Sequence, residues 1–99
     1  MNSKQRAYLK SIASTYEPIF QIGKSSVTPE LIEAISESIE KRELIKVSVL
    51  KNCADDPRDI AELISERTQS AVVQVIGKKI VLYKQSSKKE NRKIILPLS

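Results

Sequence analysis

Apolar residues recur at helical spacing in three stretches of the chain and run or alternate at strand spacing in four others. Leu9, Ile12, Ala13 and Tyr16 make the stripe of a first helix that Ser3 can cap and that Tyr16, Glu17 and Pro18 end, with Arg6 and Lys10 one turn apart on a different face. "PIFQI" then reads as a strand, Pro18 standing at its first position, where a missing N–H does least harm. Thr28 as cap, Pro29 in the first turn and Glu30 at the positive end of the dipole predict a helix from Pro29 to about Glu40. Its inner stripe is Leu31, Ile32, Ile35 and Ile39, and its outer face carries Glu33, Glu37 and Glu40. "ELIKVSVL" alternates Ile45, Val47 and Val49 with Lys46 and Ser48, as a strand with one buried and one open face does. "DDPRDIAELISERT" repeats the aspartate-proline start and buries Ile60, Leu63 and Ile64. "AVVQVI" and "KIVLY" flank Gly77 and Lys78 closely enough for an antiparallel hairpin. Beyond Tyr83, "KQSSKKENRK" reads as a polar, mobile segment, and "IILPLS" as a short edge strand limited by Pro97.

The order is a helix followed by β-α-β-α-β-β. Parallel strands need right-handed helical crossovers, and the last pair needs only a turn. The expected fold is therefore α+β: two layers, a four-stranded mixed sheet with both crossover helices on one face. The other face is left to the first helix or to a ligand. The domain is expected to span residues 1–85, with a basic C-terminal tail at 86–99.

Composition narrows the function classes. At 99 residues the chain is one domain, and 40% hydrophobic with 29% charged residues is ordinary for a soluble protein. No apolar run is long enough to span a membrane and the start is polar, so a cytoplasmic protein is expected. With no histidine and one cysteine, Cys53, neither a disulfide within the chain nor a usual zinc set is available, and Cys53 reads as a small core hydrophobe. No cofactor, metal site or small-molecule substrate is expected, and the carboxylates lack any partner for catalysis.

The net charge of +5 is unevenly spread. Lys78 to Lys93 holds seven bases against Glu90, and Lys4 to Lys24 four against Glu17, whereas Glu30 to Glu66 holds ten acids against five bases. A basic side facing a polyanion and a solvated acidic side follow from this distribution. Between the first strand and the second helix lie Gly23, Lys24, Ser25 and Ser26. A helix start offers unpaired amides and the positive dipole end, a glycine allows close approach, and Lys24 adds a charge, so the loop either holds a phosphate or merely turns the chain.

Its neighbours favour the phosphate. "KQRAYLKSIA" (Lys4 to Ala13), "PIFQIGK" (Pro18 to Lys24), "ELIKV" (Glu43 to Val47) and "VQVIGKKIVLY" (Val73 to Tyr83) together resemble the CRM domain (chloroplast RNA splicing and ribosome maturation), especially its small stand-alone bacterial YhbY-like members. The resemblance implies a fold like the C-terminal domain of translation initiation factor three, with strand order 1-2-4-3 and the fourth strand antiparallel. It also implies RNA binding through a Gly-x-x-Gly loop, comparable in role to that of KH domains, and association with precursors of the large ribosomal subunit. This chain departs twice: Ser26 stands at the second loop glycine, and Gln69 replaces the glycine that usually ends the third helix. If Ser26 needs positive φ, serine costs about 1 kcal/mol there, while its hydroxyl is available to the phosphate.

The candidate RNA-binding residues are Gly23, Lys24, Ser25, Ser26, Lys4, Arg6, Lys10, Lys46, Lys78 and Lys79. Arg6 and Lys10 either touch phosphate or form a solvated helix face. Lys46 either reaches RNA across the open sheet face or keeps that face wet. Lys78 and Lys79 belong to a basic edge or to an ordinary hairpin turn, and Lys88, Lys89, Arg92 and Lys93 to a flexible tail. With three tyrosines and one phenylalanine, base stacking is expected to be minor. The expected partner is ribosomal RNA of a large-subunit precursor, bound by a monomer. An Alba-like DNA-binding module and an adaptor for a basic ribosomal protein remain as alternatives.

Overall fold

Asn2, one residue earlier than the expected cap, begins the first helix of the computed structural model, which describes residues 1–97. Its side chain accepts from the Gln5 amide at 2.8 Å while the Gln5 side chain accepts from the Asn2 amide at 3.1 Å, a reciprocal box that satisfies two orphan donors. The elements are α1 (Ser3–Ala13), β1 (Phe20–Ile22), α2 (Pro29–Arg42), β2 (Leu44–Val49), α3 (Pro57–Thr68), β3 (Ala71–Ile76), β4 (Lys79–Tyr83) and a 3₁₀ turn (Lys89–Asn91). α1 stops at Ala13, so Tyr16, expected on its buried stripe, lies beyond it and is 37% exposed.

The strands order β1-β2-β4-β3, with β1 parallel to β2 and β4 antiparallel to β2 and β3, as the resemblance implies. α2 and α3 cover one face over Ile35, Ile39, Ile45, Val47, Ile64 and Leu82. α1 packs on β2, β3 and β4 of the other face, through Leu9 and Ala13 against Leu44, Val73, Val81 and Tyr83. Burying a leucine such as Leu9 stabilises by roughly 1.5–3 kcal/mol.

A bulge lets β3 serve both faces. Val72 pairs with Leu82 and Gln74 with Val81, so Val73 has no partner across the ladder. The extra residue shifts the alternation: Val72 and Val75, which an unbroken period of two would set on opposite faces, both pack against the α2/α3 core, while Val73 enters the α1 core.

Three residues other than glycine sit at positive φ: Ser26 (54°) in the loop before α2, and Glu43 (66°) and Gln69 (55°) at the ends of α2 and α3. The strain expected at Ser26 and Gln69 is therefore present. Cys53 is buried in the α2/α3 core, whereas Leu63, expected to be buried, is 37% exposed; Ala61 and Thr68 fill the inner face of α3 beside Ile60 and Ile64.

The stretch after Tyr83 differs most from expectation. Instead of a solvated tail it is hydrogen-bonded across the C-terminal end of α2 as far as Ile94. Residues 94–97 form no strand, and the expected edge strand otherwise falls on residues outside those described.

Candidate nucleic-acid interface

Gly23, Lys24, Ser25 and Ser26 form a tight turn closed by the Ser26 amide, which donates to the Gly23 carbonyl at 2.9 Å. Lys24 and Ser25 occupy its exposed corners. Thr28 then caps α2, its Oγ1 accepting from the Leu31 amide at 3.1 Å. Because Thr28 takes that donor and Pro29 has none, few helix amides are left for a ligand. The turn supplies others: among the described residues, the N–H groups of Lys24, Ser25 and Val27 donate to no protein acceptor.

Gly23 is not at positive φ; a Cβ there would sit 3.4 Å from Asn52 Oδ1 and 3.7 Å from Leu50 Cδ1. These are ordinary van der Waals distances, so neither the backbone conformation nor crowding within the chain requires glycine there. The Ser26 hydroxyl, which the sequence offers to a phosphate, donates instead to Asp55 Oδ2. A carboxylate thus stands beside the turn.

Parallel pairing of β1 and β2 brings the second strand-helix loop against the first. The Leu50 amide donates to the Ile22 carbonyl at 2.8 Å, and the Val49 amide to the Lys78 carbonyl at 2.7 Å. The Gly23 turn, the exposed Lys51 and the Gly77–Lys78 hairpin therefore share the carboxyl end of the parallel pair, where α/β sheets bind ligands. Lys79 opens β4 there and its Nζ donates at 3.0 Å to Ser48 Oγ; Ser48, expected on an open face, is buried, as is Leu44 on the same face, which α1 partly covers. Lys51, Asn52 and Asp55 escaped the sequence reading; the doubled β-α unit, which makes the two loops neighbours, is the signal that finds them.

The other candidates lie elsewhere. Arg6 and Lys10 line a depression of about 380 Å³ with Met1, Asn2 and Ser3 on α1, and Lys4 is exposed on the same helix. Lys46 lies three strand residues before Val49, about 10 Å along β2, and lines a different groove with Tyr16, Lys41, Arg42 and Lys93.

Two glutamates organise that end of the molecule. Glu43 is fully buried; its Oε2 accepts from the Ser86 amide at 2.9 Å and its Oε1 from the amides of Lys93 at 2.8 Å and Ile94 at 3.2 Å. Burial, followed by the Glu43 carboxylate, pushes the Tyr83 hydroxyl above the ordinary phenol range. Glu40, expected on the solvated face of α2, accepts from the Ser87 hydroxyl, from the Ser87 amide at 2.6 Å and from Lys84 Nζ at 3.0 Å. These bonds, those from Ser87 foremost, lower its pKa from 4.5 to about 2.

The sequence of residues 1–84 matches the family model described as the CRS1 / YhbY (CRM) domain. The chain is 50% identical over 97 residues to "Probable RNA-binding protein YqeI" of Bacillus subtilis, covering 98% of this chain and 99% of that protein. It is 33% identical over 97 residues to an "RNA-binding protein" of Haemophilus influenzae, covering 98% and 95%. The solution structure of SAV1595 from Staphylococcus aureus superposes with a TM-score of 0.79 at 48% identity, covering 98% of this chain and 99% of that one.

Proposed function

The chain belongs to the CRS1 / YhbY (CRM) domain family, and on that premise we propose that it is a cytoplasmic, monomeric RNA-binding protein that grips a phosphodiester backbone with the Gly23–Ser26 turn. The RNA is ribosomal, within precursors of the large subunit, and no catalysis accompanies binding. The observation that supports this most is the turn itself: three main-chain donors without acceptors beside the exposed Lys24, at the sheet end that also carries Lys51, Lys78 and Lys79. Backbone amides and lysines fix register on phosphates without reading sequence, so shape and charge dominate recognition.

In-cell crosslinking followed by sequencing of the bound RNA tests the partner, and Lys24→Glu tests the turn. The variant is expected to lose the crosslink and its co-sedimentation with large-subunit precursors. In vitro, each phosphate neutralised contributes about 0.7–0.9 to the slope of log affinity against log salt. A flat salt response in the unmodified protein, or full binding by Lys24→Glu, refutes the reading.

A further inference from the structure

At the amino end of β2, opposite the Gly23 turn, Lys41, Arg42, Lys46 and Lys93 line a groove of about 430 Å³ with the single carboxylate Glu17. That volume falls within the roughly 300–1,000 Å³ usual for small-ligand sites. Among the described residues, none of the four basic side chains has a hydrogen-bond or ion-pair partner. Tyr16 adds an aromatic side chain 37% exposed, and Ile19 an apolar one 39% exposed. Lys93 joins the other cations because its amide is tied to the buried Glu43 carboxylate.

We propose that this groove is a second RNA site, which takes one unpaired nucleotide: its base stacks on Tyr16 and its flanking phosphates meet Lys41, Arg42, Lys46 and Lys93. The proposal rests on the RNA-binding reading above and extends it. The groove and the Gly23 turn lie at the two ends of β1, an edge strand of the sheet. From Ile19 to Gly23 the chain advances four residues, about 13 Å, which a stacked single strand covers in about four nucleotides at 3.4 Å each. One strand running beside that edge thus meets both sites. Stacking at Tyr16 would revise the expectation that bases contribute little.

The test is binding of a single-stranded RNA of about a dozen nucleotides to the full chain, with AMP and inorganic phosphate as separate ligands followed by NMR. Tyr16→Ala is expected to weaken the RNA complex about 5- to 150-fold, the usual range for losing one stacked base, whereas Tyr16→Phe retains it. Lys93→Gln should lower the salt slope by about 0.7. AMP should shift the signals of Tyr16 and Lys46 more than phosphate does. Wild-type affinity and slope in both Tyr16→Ala and Lys93→Gln, with binding still lost in Lys24→Glu, overturn the groove alone. A wild-type chain that binds no RNA overturns both readings.

Discussion

Replacing Glu43 by glutamine should unfasten the C-terminal segment. The carboxylate is wholly buried and accepts three backbone amides, two on Oε1 and one on Oε2. A glutamine that keeps its oxygen toward Lys93 and Ile94 must turn its NH₂ against the Ser86 N–H, so one charge-assisted bond is lost and two become neutral. Bonds to charged groups contribute about 1.5–3 kcal/mol and neutral ones about 0.5–1.5. The loss is therefore roughly 3.5–6 kcal/mol, and relief of a buried charge brings the net to about 3 kcal/mol. For a domain of this size that is a fall in Tm of about 12–24 °C. Thermal melts at neutral pH measure it, and hydrogen exchange locates it: the amides of Ser86, Lys93 and Ile94 should lose protection first. Glu43→Gly separates strain from bonding, since it relaxes the 66° φ yet still loses both acceptor oxygens and all three bonds. Wild-type melting and protection in Glu43→Gln would refute the reasoning.

Further expectations concern charge and backbone near the two ends of β2. Because hydrogen bonds from Ser87 and Lys84 hold the Glu40 carboxyl at about 2 rather than 4.5, its contribution to stability is complete above pH 4.5 and lost as the pH falls toward 2. Melts of wild type and Glu40→Gln should differ at neutral pH and converge over that window; a constant difference would sink the assignment. Asp55→Asn removes a negative charge beside the Gly23 turn; at about 6 Å in water that is about 0.7 kcal/mol, so RNA affinity measured at low salt should rise about threefold. An unchanged affinity there would mean that no phosphate comes near. Ser26→Gly relieves about 1 kcal/mol of left-handed strain but forfeits the hydroxyl bond to Asp55. Its melting point should stay near that of wild type while RNA binds more tightly; weaker binding would mean that the Ser26 side chain itself contributes to RNA binding.

Periodicity and caps made most of the fold legible. Thr28-Pro29 and Asp56-Pro57 start α2 and α3 where the sequence predicts, and the alternation of Ile45, Val47 and Val49 marks β2 correctly. The Val73 bulge was invisible because the consecutive apolar residues Ala71, Val72 and Val73 carry no phase until both faces are known to be buried. The Glu40 and Glu43 contacts escaped because they span 43–51 residues, and a glutamate on a helix looks the same from its neighbours whether it meets water or a distant amide. The Gly23 turn was found from local chemistry together with the family resemblance, whereas Asp55 beside it belongs to a loop that only the parallel pairing brings near.

The doubled β-α unit gives the protein two helix starts at one end of the sheet, and their sequences have diverged in charge. α3 begins with Asp55, Asp56 and Asp59, and Asp56 already accepts from the Arg58 amide at 2.8 Å, so its positive dipole end is met from within the chain. α2 begins after Lys24, Ser25 and Ser26, with an uncharged threonine as its cap. α2 carries Glu30 in its own first turn, so the two starts differ in the number of carboxylates near them and in the Lys24 that precedes α2, not in whether the dipole is met from within the chain. The exposed Glu33 and Glu37 of α2 and Glu62 and Glu66 of α3 extend the negative charge over the helical layer. On the RNA-binding reading proposed above, approach along the β1 edge, past Lys24 and Lys46 toward Lys79, is what remains for an RNA backbone.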